Sequence, residues 1–107
     1  MTLPSATPQP LAALAPIEAG RVATRVLHKT AGGSASVLAM AAGEGLREHT
    51  NPSQALVVVV EGEARISVAG EPHAVAAGET IRLPAGVPHA VEAVADLRML
   101  LILLHES

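Results

Sequence analysis

Apolar residues in this chain come in short runs, and glycine or proline interrupts them about every ten residues. That rhythm predicts an all-β sandwich or barrel. The runs place strands at Arg21–Lys29, Ser34–Ala42, Ala55–Val60, Ala64–Val68, His73–Val75, Thr80–Leu83, His89–Ala93 and Leu97–His105. Gly32-Gly33, Gly43-Glu-Gly45, Glu61-Gly62-Glu63, Gly70-Glu-Pro72 and Pro84-Ala-Gly86 mark the turns, since glycine supplies positive φ and proline a preset φ. Helix competes for the alanine-rich pieces. β-Branched residues dominate the runs, however, and none reaches the roughly ten to twelve residues a helix needs, so no helix beyond a turn or two is expected. Val57 to Val60 and Met99 to Leu104 are apolar without alternation. Strands of that kind are buried on both faces, and a chain this short has little with which to cover both. A homodimer burying an outer sheet face is therefore expected, with an isologous contact.

Four of the eight prolines (Pro4, Pro8, Pro10, Pro16) fall in the first 20 of the 107 residues. Residues 1–20 read as an N-terminal arm, disordered or laid along a surface or a partner, and residues 21–107 as one barrel domain. The start lacks the basic end and continuous apolar run of a signal peptide. Met99 to Leu104 is too short to span a membrane. A soluble, cytoplasmic protein is expected. Net charge is −3 and Lys29 is the only lysine, so no basic surface exists to neutralise phosphates, and nucleic acid is not an expected partner. No cysteine is present, which removes disulfides and thiolate ligands. Phe, Tyr and Trp are also absent, so any pocket is walled by aliphatic side chains, Met and His, with no ring on which to stack a sugar or nucleobase.

Two stretches carry the candidate chemistry. In the second, Gly78 is followed by five residues, Pro84, one residue, Gly86, two residues and His89; in the first, Gly43 is followed by five residues and His49, with Gly62 thirteen further on. His49 and Asn51, two apart, share a face if that segment is extended. Gln54 points away unless the Asn51-Pro52-Ser53 turn shifts the phase. By the same parity, Glu48 and Glu92 face away from the histidines. Of the other histidines, His28 shares parity with Val22 and Val26 and faces the core or a partner, His73 is expected on a solvent-facing hairpin, and His105 sits near the end. Arg82, between Ile81 and Leu83, faces outward, where a carboxylate partner is expected.

These two stretches resemble the two motifs of the cupin superfamily, and the segment Val60 to Gly70 resembles the hairpin joining them in small single-domain cupins. The likeness runs from about Gly43 to Leu101. It implies a jelly-roll β-barrel with a central cavity, usually dimeric. In metal-binding members the first motif supplies His-x-His and a glutamate four residues later, and the second motif a further histidine. Those positions fall on His49, Asn51, Ala55 and His89, with Gln54 beside the glutamate position. Two of four ligands are thus present. A catalytic zinc or iron wants three or more protein ligands, and an ion held without a carboxylate keeps its charge uncompensated in an aliphatic site.

The resulting expectation is a small-molecule-binding cupin with an incomplete metal site, its ligand held in an aliphatic cavity near His49, Asn51, Gln54 and His89. One alternative is a metal-dependent enzyme of oxygenase or isomerase type. Its divalent ion (Zn, Fe, Ni or Cu) would be held by His49 and His89 with the amides of Asn51 or Gln54. Another is a structural or regulatory dimer with no ligand.

Overall fold

A computed structural model describes residues 3–106. Among the described residues, nine strands follow a single helical turn, α1 (Leu11–Leu14): β1 (Val22–Thr30), β2 (Gly33–Met40), β3 (Gly45–His49), β4 (Gln54–Glu61), β5 (Glu63–Val68), β6 (Glu71–Ala76), β7 (Thr80–Leu83), β8 (His89–Ala93) and β9 (Leu97–Leu104). They form two antiparallel sheets, a five-stranded one in the order β1-β2-β9-β4-β7 and a four-stranded one in the order β3-β8-β5-β6. The two pack face to face as a jelly roll. Among the described residues no helix is long and apolar enough to cross a membrane.

The strand the sequence pattern did not predict is β3. Arg47, Glu48 and His49 are exposed and only Leu46 packs on the core, so no alternation betrays it. It lies at the edge of its sheet, where one half-buried residue suffices.

β4 shows why Val57 to Val60 lack alternation. Val57 and Val59 are fully buried between the sheets, whereas Leu56, Val58 and Val60 face the other side and stay half-buried. The same holds on β9, where Leu97 and Met99 enter the core and Leu100 and Ile102 look outward. Met40, Ile66, Leu97, Met99, Val57 and Val59 fill the space between the sheets, each 1% exposed or less. No water-sized space opens beside side chains so completely covered. These side chains make a packed aliphatic core, and Leu46, Val68, Ile81, Leu101 and Leu103 border it half-buried.

The arm is laid along the barrel. Leu11, Leu14, Ala15 and Ile17 pack on Val37, Ala39, Ala23, Leu27 and Leu100, forming a second apolar cluster on the outer face of the five-stranded sheet. Leu3 N–H donates to the Leu27 carbonyl (2.8 Å). Arg98, 5% exposed, fixes the far end: its Nε–H donates to the Ala15 carbonyl (3.1 Å), and its guanidinium pairs with Glu61. The guanidinium thus sits between arm and sheet with both sides bonded, as a buried charge requires.

Candidate functional site

His49 ends β3 and His89 begins β8, and these strands are neighbours with His49 directly opposite His89. The Pro84-Ala-Gly86 turn makes this possible. Gly86 adopts φ 74°, and its N–H donates to the Asn51 carbonyl (2.8 Å), binding the turn before β8 to the loop after β3. The two imidazoles meet edge to face with centroids 4.4 Å apart.

Each ring is held in the same way. His49 Nδ1 lies 2.7 Å from the Arg47 carbonyl and His89 Nδ1 lies 3.2 Å from the Val87 carbonyl. A carbonyl oxygen only accepts, so each Nδ1 carries the hydrogen. In the neutral rings Nε2 is then a bare lone pair on both. His89 is 5% exposed, while His49 is exposed. Burial pushes the His89 imidazole below its ordinary pKa; the Val87 hydrogen bond works against this, and the neighbouring His49 charge adds to it. Burial thus favours the neutral form of His89, with Nε2 as an acceptor.

The amides expected to complete the set are used elsewhere. Asn51 Oδ1 accepts from the Ser53 N–H (2.9 Å), closing an Asx turn in the loop. Gln54 belongs to the outward series of β4 with Leu56 and Val58, and its Oε1 accepts from Arg82 (2.9 Å). The structure thus separates Gln54 from the histidines, and Arg82 has an amide partner in place of the expected carboxylate. Ala55, at the glutamate position, is 2% exposed in the core. Glu92 lies on the outer side of its sheet, paired with Arg65 (2.8 Å). Ser53, 6% exposed, meets His105 Nδ1 and ties the end of β9 to the Asn51 loop. A bulge after Val26 sets His28 opposite Ala35 on the outer face of the five-stranded sheet.

The donor set does not fit a divalent ion. It offers two neutral imidazoles and no anionic ligand, and among the described residues no three of His, Asp and Glu stand together. The residue beside the pair that spacing did not bring in is Val68, opposite His89 on β5. No local signal announces it, because β5 and β8 are not joined by a hairpin and their register is set by the packing of the whole sheet.

A Cupin domain family model matches residues 36–104, well over half of the 107. The chain belongs to the cupin superfamily. A conserved protein of unknown function from Streptococcus pyogenes is 30% identical to this cupin, with 98% of this chain and 92% of that one covered and a TM-score of 0.91. A cupin superfamily protein from Desulfitobacterium hafniense superposes with a TM-score of 0.88 at 26% identity, covering 97% and 95%. A cupin 2 conserved barrel domain protein from Leptotrichia buccalis is 38% identical over 81% of this chain and 42% of that one, with a TM-score of 0.78. Curated proteins gave no match.

Proposed function

We propose that this cupin binds a small molecule at the histidine end of the barrel, through paired imidazole acceptors and without a metal. The observation that carries this is the shared Nδ1–H tautomer of His49 and His89, each set by a backbone carbonyl. Two Nε2 lone pairs side by side recognise a ligand that donates hydrogens. The metal-dependent enzyme is the weaker reading, because Ala55 and the outward Gln54 leave the two histidines without an anionic or third imidazole ligand.

The reading is tested with long-range ¹H–¹⁵N spectra of the imidazoles. Both rings are expected as Nδ1–H tautomers above about pH 7.5, and a bound ligand is expected to shift Nε2 of both. Finding Nε2–H at either ring contradicts it.

The outer face of the five-stranded sheet supports a second part of the reading, self-association. Leu56, Val58, Ile102 and Leu104 form an apolar surface beside the arm, with Leu104 48% exposed. It runs into an open hollow of about 250 Å³ walled by His28, Ala35, Ile102 and Leu104. A face whose middle carries no charge can meet its own copy without opposing like charges. Four strands at ~4.8 Å spacing and eight residues at ~3.3 Å each give about 500 Å² of flat sheet. Arm and rim extend that toward the ~800 Å² per partner of a stable interface. Sedimentation is expected to give twice the chain mass for the wild type and a monomer for Ile102→Glu. A wild-type monomer at about 100 µM, or a dimer indifferent to Ile102→Glu, contradicts it.

A further inference from the structure

Two residues of β6 share the barrel side of the four-stranded sheet with the histidine pair. The hairpin pairs Val68 with Glu71, Ile66 with His73 and Ala64 with Val75. Cross-strand partners face the same way, and Ile66 and Val75 are core residues at 0% and 4% exposure. Glu71 and His73 alternate with Val75 and so lie on that same side, although both are exposed at the sheet edge. β5 also pairs with β8 through Val68 and His89, and β8 with β3 through His89 and His49. One row therefore crosses all four strands: His49, His89, Val68, Glu71.

The order of groups along this row is chemically specific. First come two nitrogen acceptors, then the half-buried apolar Val68, then a carboxylate. Glu71 has no ion pair among the described residues, whereas Glu18, Glu61 and Glu92 each meet an arginine. Two strand spacings put the Glu71 Cα about 10 Å from that of His89. The Ala69-Gly70 turn that sets this pairing is anchored at the site, since Ala69 N–H donates to the Pro88 carbonyl next to His89 (2.8 Å).

We infer that this row takes a short aliphatic diamine or amino alcohol. One ammonium pairs with Glu71, the methylenes lie over Val68, and the other end donates a hydrogen to an imidazole Nε2. The inference rests on the histidine-pair reading and names its ligand class. An anionic ligand meets a carboxylate at one end and bare lone pairs at the other. With no aromatic ring in the chain, no cation–π box competes for the ammonium, so Glu71 is its recognition element.

The test compares putrescine, butanediol and succinate, which share a four-carbon chain and differ in end charge. Each is titrated into the full-length protein at about pH 8, where unperturbed imidazoles are neutral, with backbone and imidazole resonances followed. Putrescine is expected to shift the signals of His49, His89, Val68 and Glu71 and to bind about two- to fivefold tighter than butanediol, with succinate weakest. That factor is the size expected of a solvent-exposed ion pair. Glu71→Gln, at an exposed position, is expected to remove the preference for putrescine over butanediol. His49→Ala/His89→Ala is expected to abolish binding of both. Equal binding of putrescine and butanediol, unaffected by Glu71→Gln but lost in the histidine variant, overturns the assignment of Glu71 and leaves the histidine pair standing. Putrescine binding that survives the histidine variant overturns the histidine-pair reading itself. Imidazoles indifferent to all three probes overturn the diamine assignment.

Discussion

Gly62→Ala is expected to lower the melting temperature by about 15 °C, the larger of the two stability effects this fold predicts. Gly62 turns the chain between β4 and β5 with φ 80°. An alanine there costs about 1–2 kcal/mol for the left-handed backbone alone. Its Cβ would also overlap the Asp96 carbonyl oxygen and crowd the start of β9. The neighbouring chain has little freedom to retreat, because Asp96 Oδ1 accepts the Ala42 N–H (2.9 Å) and so holds the approach to β3. Together these effects come to about 3 kcal/mol, and each kcal/mol moves the midpoint of a domain this size by about 4–8 °C. Gly70 is the internal control. It has φ 81°, yet no atom lies within 4 Å of where a Cβ would stand. Gly70→Ala should lose only the backbone share. Calorimetric melts of the two variants decide the matter, and equal losses would refute the close approach of Gly62 to β9.

Arg98→Ala is expected to cost about 2–3 kcal/mol and to free the arm. The arginine stem fills space on the outer face of β9, and its head bonds both Glu61 and the Ala15 carbonyl. Hydrogen bonds to charged groups contribute about 1.5–3 kcal/mol each. Because Glu61 is half exposed and regains water when its partner is lost, its share is small. Most of the cost lies in the unpaired Ala15 carbonyl and the emptied volume. Arg98→Ala is expected to expose the segment before Gly20 to limited proteolysis at a rate at least tenfold above wild type. An arm equally protected in both proteins would mean that the apolar cluster around Ala15, and not the guanidinium, holds it down.

Much of this was legible in the sequence because glycine and proline punctuate it so regularly. The run from Gly78 to His89 read correctly as strand, turn and strand, since Pro84 and Gly86 each constrain φ in a way few other residues do. β3 was not legible, because an edge strand needs no alternation and Arg47-Glu48 reads as loop. The opposition of His49 and His89 followed from the resemblance, but the tautomers did not. Carbonyls two residues back set them, which only coordinates reveal. His73 was expected to face solvent and is exposed, yet it shares the side of Ile66. Position at the sheet edge decides its exposure, and register decides its face. Gln54 illustrates the same point. The resemblance set it beside the glutamate position, strand parity pointed it away, and the phase of β4 turns it to Arg82 on the opposite side.

The central claim is that the histidine pair acts without a metal. Metal content of the protein, purified without an affinity tag from cells supplied with Zn, Fe, Ni or Cu, tests it most directly when measured beside His49→Ala/His89→Ala. The account predicts substoichiometric metal in both proteins. One equivalent of a single metal in the wild type, lost in the variant, would contradict it.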